Sequence, residues 1–411
     1  MAKLTKKEKQ TLNNTAKKYW KIVVAVVLIA IIAVVVAYYL GWLNQLLQKD
    51  QKEIYEAGEM TTHVETLEDL KINFLDVGQG DCIIIQFPDN KNMIIDSGDD
   101  SYTDERSGTI TPRDTIKAFT DENKIDTFDY VLLTHSDSDH SANMSWVINN
   151  YKVKYIFRPA TFCNDVLVKD IPMEFNNLVL GSAIATNDNY ANFMISAYNS
   201  KAPTEIFNKD SDFKNYIVSP EKSTAYSFDF LTPVADRDKI SYSDVNNNSP
   251  LLMLEYANRK VLFTGDAEKA VIKEYLDVYG DDNNIDVLKV GHHGSKTSTT
   301  EEFLKALDPE VAIIQCGEDN THGHPDIETL NYLYGYEDGG INVFRNDTNG
   351  HITLSIASDG AMSFEMDNED VSKNNIDGEG KVVAGGGVEE ASQVAIYDYV
   401  AMSYYRKEMV A

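Results

Sequence analysis

One short segment constrains the fold and chemistry of this chain more than any other: residues 134–140, Thr-His-Ser-Asp-Ser-Asp-His. It follows an apolar run, residues 130–133, with the composition of a buried strand. His135, Asp137 and Asp139 alternate, so in an extended segment their side chains project to the same side. Imidazole nitrogens and carboxylate oxygens grouped in this way are ligands for one or two divalent cations. A solvated polar turn is the alternative, and it predicts that the other histidines are scattered.

The histidines of the chain are clustered instead. Of the eight, six fall in three pairs: His135 and His140, His292 and His293, and His322 and His324. Each pair follows an apolar stretch of strand composition, as does Asp266 in Val-Leu-Phe-Thr-Gly-Asp. Because α/β proteins place their sites at the carboxyl ends of strands, we expect these side chains to converge on a metal centre. Alternatively, Asp266 caps the helix predicted for residues 268–279.

Charge and cysteine content disfavour two classes of protein. Over 411 residues the formal net charge is −28, which attracts cations and argues against a broad basic surface for nucleic acid. A local basic groove remains compatible with this balance. The three cysteines, Cys82, Cys163 and Cys316, have no CxxC spacing. They therefore predict neither a disulfide framework nor a thiolate metal site.

The N-terminal region has the pattern of a membrane anchor. Residues 1–21 are rich in lysine, and residues 22–43 carry no charge and are mostly aliphatic. At about 1.5 Å per residue, about 20 apolar residues cross a hydrocarbon core of about 30 Å. Since the basic flank precedes the apolar run, we expect a single-pass protein with a cytoplasmic N-terminus and an extracellular catalytic domain. A cleaved signal peptide is the alternative, although its apolar region should be shorter, about 7–15 residues.

Downstream of this segment, residues 44–70 are charged and predict a helical stalk. Residues 71–366 then alternate strands and helices, which predicts an α/β domain. Residues 160–225 interrupt the alternation and are rich in Asn, Asp, Ser and Tyr, so we expect an insertion that forms a lid or a substrate wall. A surface excursion without a role is the alternative. Residues 367–411 become acidic and then glycine-rich, which indicates a linker and a C-terminal tail.

Six motifs follow one another along the chain: Asp76-Val-Gly-Gln-Gly-Asp81, Asp96-Ser-Gly98, His135-Ser-Asp-Ser-Asp-His140, Thr264-Gly-Asp266, Gly291-His-His-Gly-Ser295 and Gly323-His-Pro325. Together they resemble the motifs of the metallo-β-lactamase superfamily and, within it, those of the extracellular hydrolase domain of ComEC-type competence proteins. The resemblance covers about residues 70–366. It implies a four-layer αβ/βα sandwich with a one- or two-metal site at the edge of its two sheets. It also implies hydrolysis, most often of phosphodiester bonds.

The resemblance further implies a set of metal ligands. His135 and Asp137 would hold one cation, and Asp139 and His140 would hold the other. Asp266 would bridge the two cations, and His292 or His293 would complete the shell. The cations would be Zn²⁺ or Mn²⁺. Where Asp137 stands the superfamily usually has histidine, and a carboxylate in its place makes the site harder and tilts it toward Mn²⁺.

The residues expected to act in catalysis belong to the same motifs. Two divalent cations lower the pKa of a water and neutralise charge on the phosphoryl group. Asp139 would contribute through the second cation. His324, with Lys296 or His322, would bind the non-bridging oxygens or protonate the leaving group.

These expectations describe a membrane-anchored, extracytoplasmic hydrolase that cleaves phosphodiester bonds in DNA or in a wall polymer. The many membrane spans of the competence channel are missing, so we expect that this chain is not itself a DNA importer. A nuclease predicts a basic groove formed by Arg113, Lys152, Lys154, Arg158, Lys289 and Lys296. The loop at residues 96–100 and the long insertion are also similar to phosphorylcholine esterases, which predict a narrow pocket walled by residues 160–225. A non-catalytic, metal-stabilised surface binding module is a further alternative.

Overall fold

A computed structural model describes residues 59–100, 111–176, 183–209, 211–233, 242, 244–318, 320–336 and 341–368. The strands are β1 (Glu59–His63), β2 (Leu70–Phe74), β3 (Ile83–Gln86), β4 (Asn92–Ile95), β5 (Thr127–Leu132), β6 (Lys152–Arg158), β7 (Phe162–Cys163), β8 (Ile184–Ala185), β9 (Thr204–Ile206), β10 (Phe213–Val218), β11 (Ser223–Phe230), β12 (Leu252–Tyr256), β13 (Arg259–Phe263), β14 (Val287–Lys289), β15 (Val311–Ile314), β16 (Asn342–Arg345), β17 (Ile352–Ile356) and β18 (Met362–Met366). The helices are α1 (Pro112–Asn123), α2 (Ser138–Ser141), α3 (Met144–Asn150), α4 (Met173–Asn176), α5 (Asp188–Ser200), α6 (Lys269–Tyr279), α7 (Glu301–Leu307), α8 (Ile327–Tyr334) and α9 (Asn346–Asn349).

Most strands belong to two large sheets. Sheet A has the order β1-β10-β11-β12-β13-β14-β15-β16, and sheet B has the order β18-β17-β2-β3-β4-β5-β6-β9. The run from β13 to β16 is parallel in sheet A, as is the run β4-β5-β6-β9 in sheet B. The short strands β7 and β8 pair with each other. Each parallel run brings several strand carboxyl ends to one edge, where loops can converge.

Aromatic side chains pack between the two sheets. Phe74 of β2 stacks on Phe263 of β13, with ring centroids 6.3 Å apart. Phe87, which follows β3, stacks on Tyr226 of β11 at 4.3 Å. Such pairs contribute about 0.5–1.5 kcal/mol each beyond the burial of their area, so they stabilise the face-to-face contact of the sheets.

Alternate residues of the same strands point away from this layer, toward the helices. The cluster outside sheet B joins Ile84, Ile94, Val131 and Ile156 of the strands to Ile116 of α1, Val147 of α3 and Phe193 of α5. The cluster outside sheet A joins Leu262, Leu288 and Ala312 to Val271 of α6, Leu304 of α7 and Leu333 of α8. Helices therefore cover the outer face of each sheet, and the expected four-layer αβ/βα sandwich is confirmed.

Residues 59–63 correct the prediction of a helical stalk over residues 44–70. They form β1, which pairs in parallel with β10 at the edge of sheet A. The strand contains two adjacent threonines, Thr61 and Thr62, whose branched side chains favour the pleated conformation. The folded domain therefore begins before residue 71.

Residues 160–225 contain more regular structure than their composition indicates. Strand β9 extends sheet B and β10 lies within sheet A. Helix α5 buries Tyr190, Phe193 and Met194 in the cluster outside sheet B. Much of this segment is thus part of the sandwich, and the pattern is broken because its strands are short and rich in polar residues.

The expected cytoplasmic tail (1–21) and membrane anchor (22–43) lie outside the described residues, as does the C-terminal segment 369–411. Among the residues that the structure describes, no helix combines the length and the apolar character that a membrane crossing needs.

Candidate metal centre

Loops that follow parallel strands of both sheets supply the centre. The loop after β5 carries His135, Asp139 and His140, and α2 begins within it. The loop after β13 carries Asp266, and the loop after β14 carries His293. The two sheets therefore each contribute to one group of side chains, as the clustering of these residues at strand ends predicts.

Four of these side chains form a compact cluster: Asp139, His140, Asp266 and His293 each offer one ligand atom, and these atoms all lie within 4.8 Å of one another. The Nε2 atom of His293 lies 3.1 Å from Oδ2 of Asp139, 3.3 Å from Nε2 of His140 and 3.4 Å from Oδ2 of Asp266. Nε2 of His140 lies 3.3 Å from Oδ1 of Asp266. This is the spacing of ligands around a shared cation.

Neighbouring groups fix the orientation of both clustered imidazoles. His140 Nδ1 lies 2.7 Å from Oδ2 of Asp96, and His293 Nδ1 lies 2.9 Å from the carbonyl oxygen of Gln315. Asp96 is held in turn by the backbone N–H and the hydroxyl of Thr134, at 2.8 and 2.6 Å. An imidazole that donates Nδ1–H to such a partner presents the lone pair of Nε2 on its other side. Both histidines are thus oriented as ligands.

The charges of the cluster interact strongly. Burial lowers the pKa of His140, but Asp266, Asp96 and Asp139 outweigh burial and raise it well above the usual value. The pKa of His293 is likewise lowered by burial and raised further by its carboxylate neighbours, with a net upward shift. Burial raises the pKa of Asp266, and the two imidazoles bring it well below the usual value. A cation in the cluster therefore competes with protons for these imidazoles.

His135 and Asp137 form a second candidate pair beside this cluster. His135 Nε2 is 3.8 Å from Oδ2 of Asp137 and 3.9 Å from Oδ2 of Asp266. Its Nδ1 lies 3.1 Å from the hydroxyl oxygen of Thr134 and 3.3 Å from that of Ser249. Burial, followed by His140, lowers the pKa of His135 to about 3, so the imidazole is neutral. The Asp266 carboxylate therefore lies within 4 Å of His135 as well as of His140 and His293.

The structure distinguishes the two adjacent histidines of the chain by position. His293 is buried within the cluster, whereas the side chain of His292 is 22% exposed beside it. His292 Nε2 lies 3.7 Å from Oδ2 of Asp266, and its Nδ1 lies 3.3 Å from Oε1 of Glu268. Of this pair, His293 is the one brought into the ligand group, and His292 lies at its open side.

The residues predicted to contact the substrate, His324, His322 and Lys296, differ in their distance from the cluster and in their exposure. The His324 ring lies 5.4 Å from that of His292 and 6.4 Å from that of His293, and burial with these two neighbours lowers its pKa to about 4. His322 is exposed and stacks on His324 at 5.9 Å. The side chain of Lys296 is 57% exposed, with its ammonium 4.0 Å from Asp326. His324 therefore adjoins the cluster, and Lys296 lies at the surface.

The glycines that flank Gln79 permit a close approach of two loops. A Cβ atom on Gly80 would lie 2.2 Å from the carbonyl oxygen of Asp139, and the φ angle of Gly80 is +126°. The next residue, Asp81, donates its backbone N–H to that same oxygen at 3.2 Å. The loop after β2 is thereby held directly against the residues that form the centre.

Two residues behind the centre were given no ligand role by sequence reasoning. Gln315 accepts from His293 and donates through Nε2 to the carbonyls of Leu75 and Cys82, at 3.1 Å each. Asp96 belongs to a recognised motif, yet nothing in its spacing indicates that it contacts His140. For Gln315 the one available signal is a polar residue at the end of an apolar strand.

The prediction of a basic groove, which a nuclease would need, is wrong for two of its six residues. Arg158 is 3% exposed and Lys289 is fully buried, so neither can line a groove. Of the others, Lys154 pairs with Asp129 at 2.6 Å, and Arg113 donates through Nε to Asn143 at 2.7 Å. The buried positions of Arg158 and Lys289 thus remove two of the six cations from the expected groove.

The N-terminal end of α5 contacts the loop that carries the ligands. Asn187 donates to the carbonyl oxygen of Ser136 at 2.9 Å, and Asn189 donates to the hydroxyl of Ser138 at 3.2 Å. These contacts place part of the segment 160–225 beside the centre, in the position expected for a wall of the site.

Comparison with known proteins defines the class. The family model described as the metallo-beta-lactamase superfamily matches residues 75–163 and 236–318. The chain thus contains a metallo-beta-lactamase domain, and with this ligand cluster the assignment supports a metal-dependent hydrolase.

Curated relatives narrow this class to the ComEC type, as the sequence motifs predict. ComE operon protein 3 of Bacillus subtilis is 28% identical over 289 residues, 69% of this chain and 32% of that protein. Recombination protein 2 of Haemophilus influenzae is 25% identical over 267 residues, 65% of this chain and 27% of that protein. The chain therefore spans less than a third of the length of these relatives. A solved structure, the metallo-beta-lactamase fold protein YhfI from Bacillus subtilis, is 12% identical with a TM-score of 0.35 and coverage of 67% of this chain and 96% of that one, a likeness that carries no information on activity.

Proposed function

We propose that this chain is a metal-dependent phosphodiesterase, anchored in the cell membrane by residues 22–43 with its catalytic domain outside. The observation that carries the proposal is the cluster of Asp139, His140, Asp266 and His293, with a further candidate pair beside it. Ligands drawn from both sheets and oriented by their neighbours describe a preformed metal centre. A non-catalytic binding module does not need a ligand set that is open to solvent on one side and has the imidazole of His324 next to it.

The chemistry of the donors fits two divalent cations. Oδ1 of Asp266 and Nε2 of His135 are buried and have no hydrogen-bond partner among the described residues, so both are available as ligands. Burial, followed by the neighbouring Asp139, raises the pKa of Asp137 to about 6, so a cation beside it would stabilise its ionised form. His135, Asp137 and Asp266 would hold one cation. Asp139, His140 and His293 would hold the other with Asp266. Nitrogen and oxygen donors in this mixture suit Zn²⁺ or Mn²⁺.

When bound, the two cations supply a water of lowered pKa and positive charge opposite the phosphoryl group. The residues of the chain then orient and bind. Asp96 and Gln315 hold His140 and His293 in place through Nδ1. The side chains of Asp137 and Asp139 are 42% and 24% exposed, so the centre opens to solvent on their side.

His324 is the residue best placed to contact the substrate. With a pKa of about 4 it is neutral at pH 7, so it acts as a hydrogen-bond donor to a phosphoryl oxygen rather than as an imidazolium. Lys296, at the exposed rim, binds a more distant anionic group of the substrate. Of the two roles expected for His324 from the sequence, oxygen binding is therefore favoured over protonation of the leaving group.

We favour a phosphodiester within a wall polymer or a small molecule as the substrate. Arg158 and Lys289 are buried and cannot track a polyanionic backbone, and the net charge of the whole chain is −28. A DNase is the second candidate, because the relatives are named for competence and recombination functions. Both candidates use the same centre and differ in the surface around it.

The test is hydrolysis by the full-length chain in detergent of an aryl phosphodiester and of single-stranded DNA, with Mn²⁺ or Zn²⁺. Asp266→Ala should reduce the rate by at least about 10³-fold, since it removes the carboxylate shared by both ligand sets. Lys91→Met, at a turn remote from the centre, is the control and should retain the rate. Cleavage that persists in Asp266→Ala at the wild-type rate would refute the two-metal mechanism.

The anchor and the outside location need a separate measurement. Protease added to intact cells should degrade the domain that starts near residue 59 and leave the N-terminal lysine-rich tail protected. The protein should also stay with the membrane in alkaline carbonate. Complete protection of the domain, or its release by carbonate, would contradict this part of the proposal.

A further inference from the structure

A buried ion pair lies directly behind the metal centre. The ammonium of Lys289, in β14, is 2.7 Å from Oδ2 of Asp81, and the two side chains are 0% and 2% exposed. Lys289 also donates to the carbonyl oxygen of Val290 at 3.0 Å. A fully buried lysine is rare unless it is paired, and here the partner belongs to the loop that follows β2 in the opposite sheet.

The pair continues to a candidate metal ligand. Oδ1 of Asp81 lies 3.4 Å from Nδ1 of His293, on the same side of the ring as the Gln315 carbonyl. The opposite nitrogen of this ring, Nε2, is the atom that faces Asp139, His140 and Asp266. Lys289, Asp81 and His293 therefore form a continuous row that ends at the centre.

Lys289 neutralises a buried carboxylate that would otherwise be unpaired. A carboxylate without a counter-ion is strongly disfavoured in a dry interior, so Asp81 needs a buried cation to remain beside His293. Three further carboxylates, those of Asp96, Asp139 and Asp266, already lie around the imidazoles. Lys289 offsets the charge of Asp81, while Asp139 and Asp266 belong to the ligand cluster and Asp96 contacts Nδ1 of His140.

We propose that Lys289 is a positioning residue for the metal centre: it holds Asp81 in place behind His293, and Asp81 with Gln315 keeps Nε2 of His293 directed at the cation. This inference rests on the proposed function in that it presupposes a bound metal. Lys289 touches neither the cation nor the substrate and acts through Asp81.

A second buried pair in the chain shows what a merely structural role would be. Lys91 and Asp89 lie 2.5 Å apart with side chains 15% and 0% exposed, in the turn that precedes β4. The pair lies at the start of β4, whereas Asp96, which contacts the centre, follows the opposite end of that strand. Removing Lys91 should lower the melting temperature without changing the affinity for metal, so Lys91→Met is a matched control.

The experiment uses the full-length chain and four variants: Lys289→Met, Asp81→Asn, the double variant of these two, and Lys91→Met. Two quantities are measured: the affinity for Zn²⁺ and Mn²⁺ by competition with a chromogenic chelator, and the melting temperature of the metal-stripped protein. Loss of a group that orients a ligand typically weakens binding by about 10–100-fold, which we expect for Lys289→Met and for Asp81→Asn. The double variant should be no weaker than Asp81→Asn, because Lys289 acts through Asp81.

Two outcomes would overturn the proposal. In the first, Lys289→Met keeps wild-type affinity and only melts earlier, as the control does. In the second, the losses of the single variants multiply in the double variant, so that Lys289 acts independently of Asp81. If Lys289→Met fails to fold, the double variant carries a neutral pair of similar volume, and wild-type affinity in it would equally overturn the proposal. A wild-type protein that binds metal but cleaves no phosphodiester would remove the proposed function and leave this inference intact.

Discussion

Replacing Gly80 with alanine tests whether the loop after β2 positions the metal centre. A Cβ atom at this position would lie 2.2 Å from the carbonyl oxygen of Asp139 and 3.1 Å from the carbonyl carbon. Ordinary contact begins at 3.4 Å, so the two backbones must separate by about 1.2 Å. Because the clashing atoms are backbone on both sides, no rotation of a side chain relieves the contact.

The cost has two parts. A residue with a side chain at positive φ loses about 1–2 kcal/mol of stability wherever it stands. The displacement of Asp139 is specific to this position, and misplacing a catalytic group by about 1 Å can cost about 10²-fold in rate. We therefore expect Gly80→Ala to lower phosphodiesterase activity by about 100-fold and to weaken metal binding.

Gly280 provides the matched control. It follows α6 with a φ angle of +80°, and a Cβ atom there would meet nothing within 4 Å. Gly280→Ala should introduce backbone strain alone, so its melting temperature should fall slightly while its activity and metal affinity stay unchanged. The assay is the rate of aryl phosphodiester cleavage at saturating metal, together with metal titration of both variants. Equal activity in the two variants would refute the claim that the approach of Gly80 to Asp139 sets the geometry of the centre.

Three further changes are predicted. Asp96→Asn replaces the carboxylate that lies 2.7 Å from His140 Nδ1, so metal affinity should fall by about 10–100-fold in a chelator competition, and an unchanged affinity would contradict the orienting role of Asp96. His324→Gln, which keeps a neutral donor, should retain more activity than His324→Ala; a requirement for an imidazolium would instead make both variants equally poor and give the wild type an acidic pH–rate profile. Burial, followed by Asp212 and Glu255, raises the pKa of Asp229 to about 6, so folding disfavours its ionisation: the stability gained below its unfolded pKa is lost as the pH rises through about 6. Asp229→Asn should accordingly raise the melting temperature at pH 8 and leave it nearly unchanged at pH 3.5, and the reverse pattern would contradict this assignment.

Regular elements of strong periodicity could be predicted from the sequence. The helix predicted for residues 268–279 is present as Lys269–Tyr279, and the apolar run at residues 130–133 coincides with the end of the strand Thr127–Leu132. Convergence of the histidine and aspartate motifs could also be predicted, because each follows a buried strand and parallel strands end at a common edge.

Elements that depend on partners distant in sequence could not be predicted. Strand β1 is half-buried and polar, and it becomes a strand by pairing with β10. The burial pattern of β10 includes the polar Asn215, which obscures the alternation of a strand. From the sequence alone Lys289 is expected at the surface, because its buried partner Asp81 belongs to the facing sheet and is distant along the chain. Local pattern carries no information on such pairings.

The most direct test of the central claim is the metal content of the purified full-length chain, measured by inductively coupled plasma mass spectrometry after equilibration with Mn²⁺ or Zn²⁺. Two cations per chain are expected in the wild type, falling below one in Asp266→Ala, because that carboxylate lies within 4 Å of ligands from both sets. A wild-type chain that retains no cation, or an Asp266→Ala chain that still retains two, would contradict the shared metal centre.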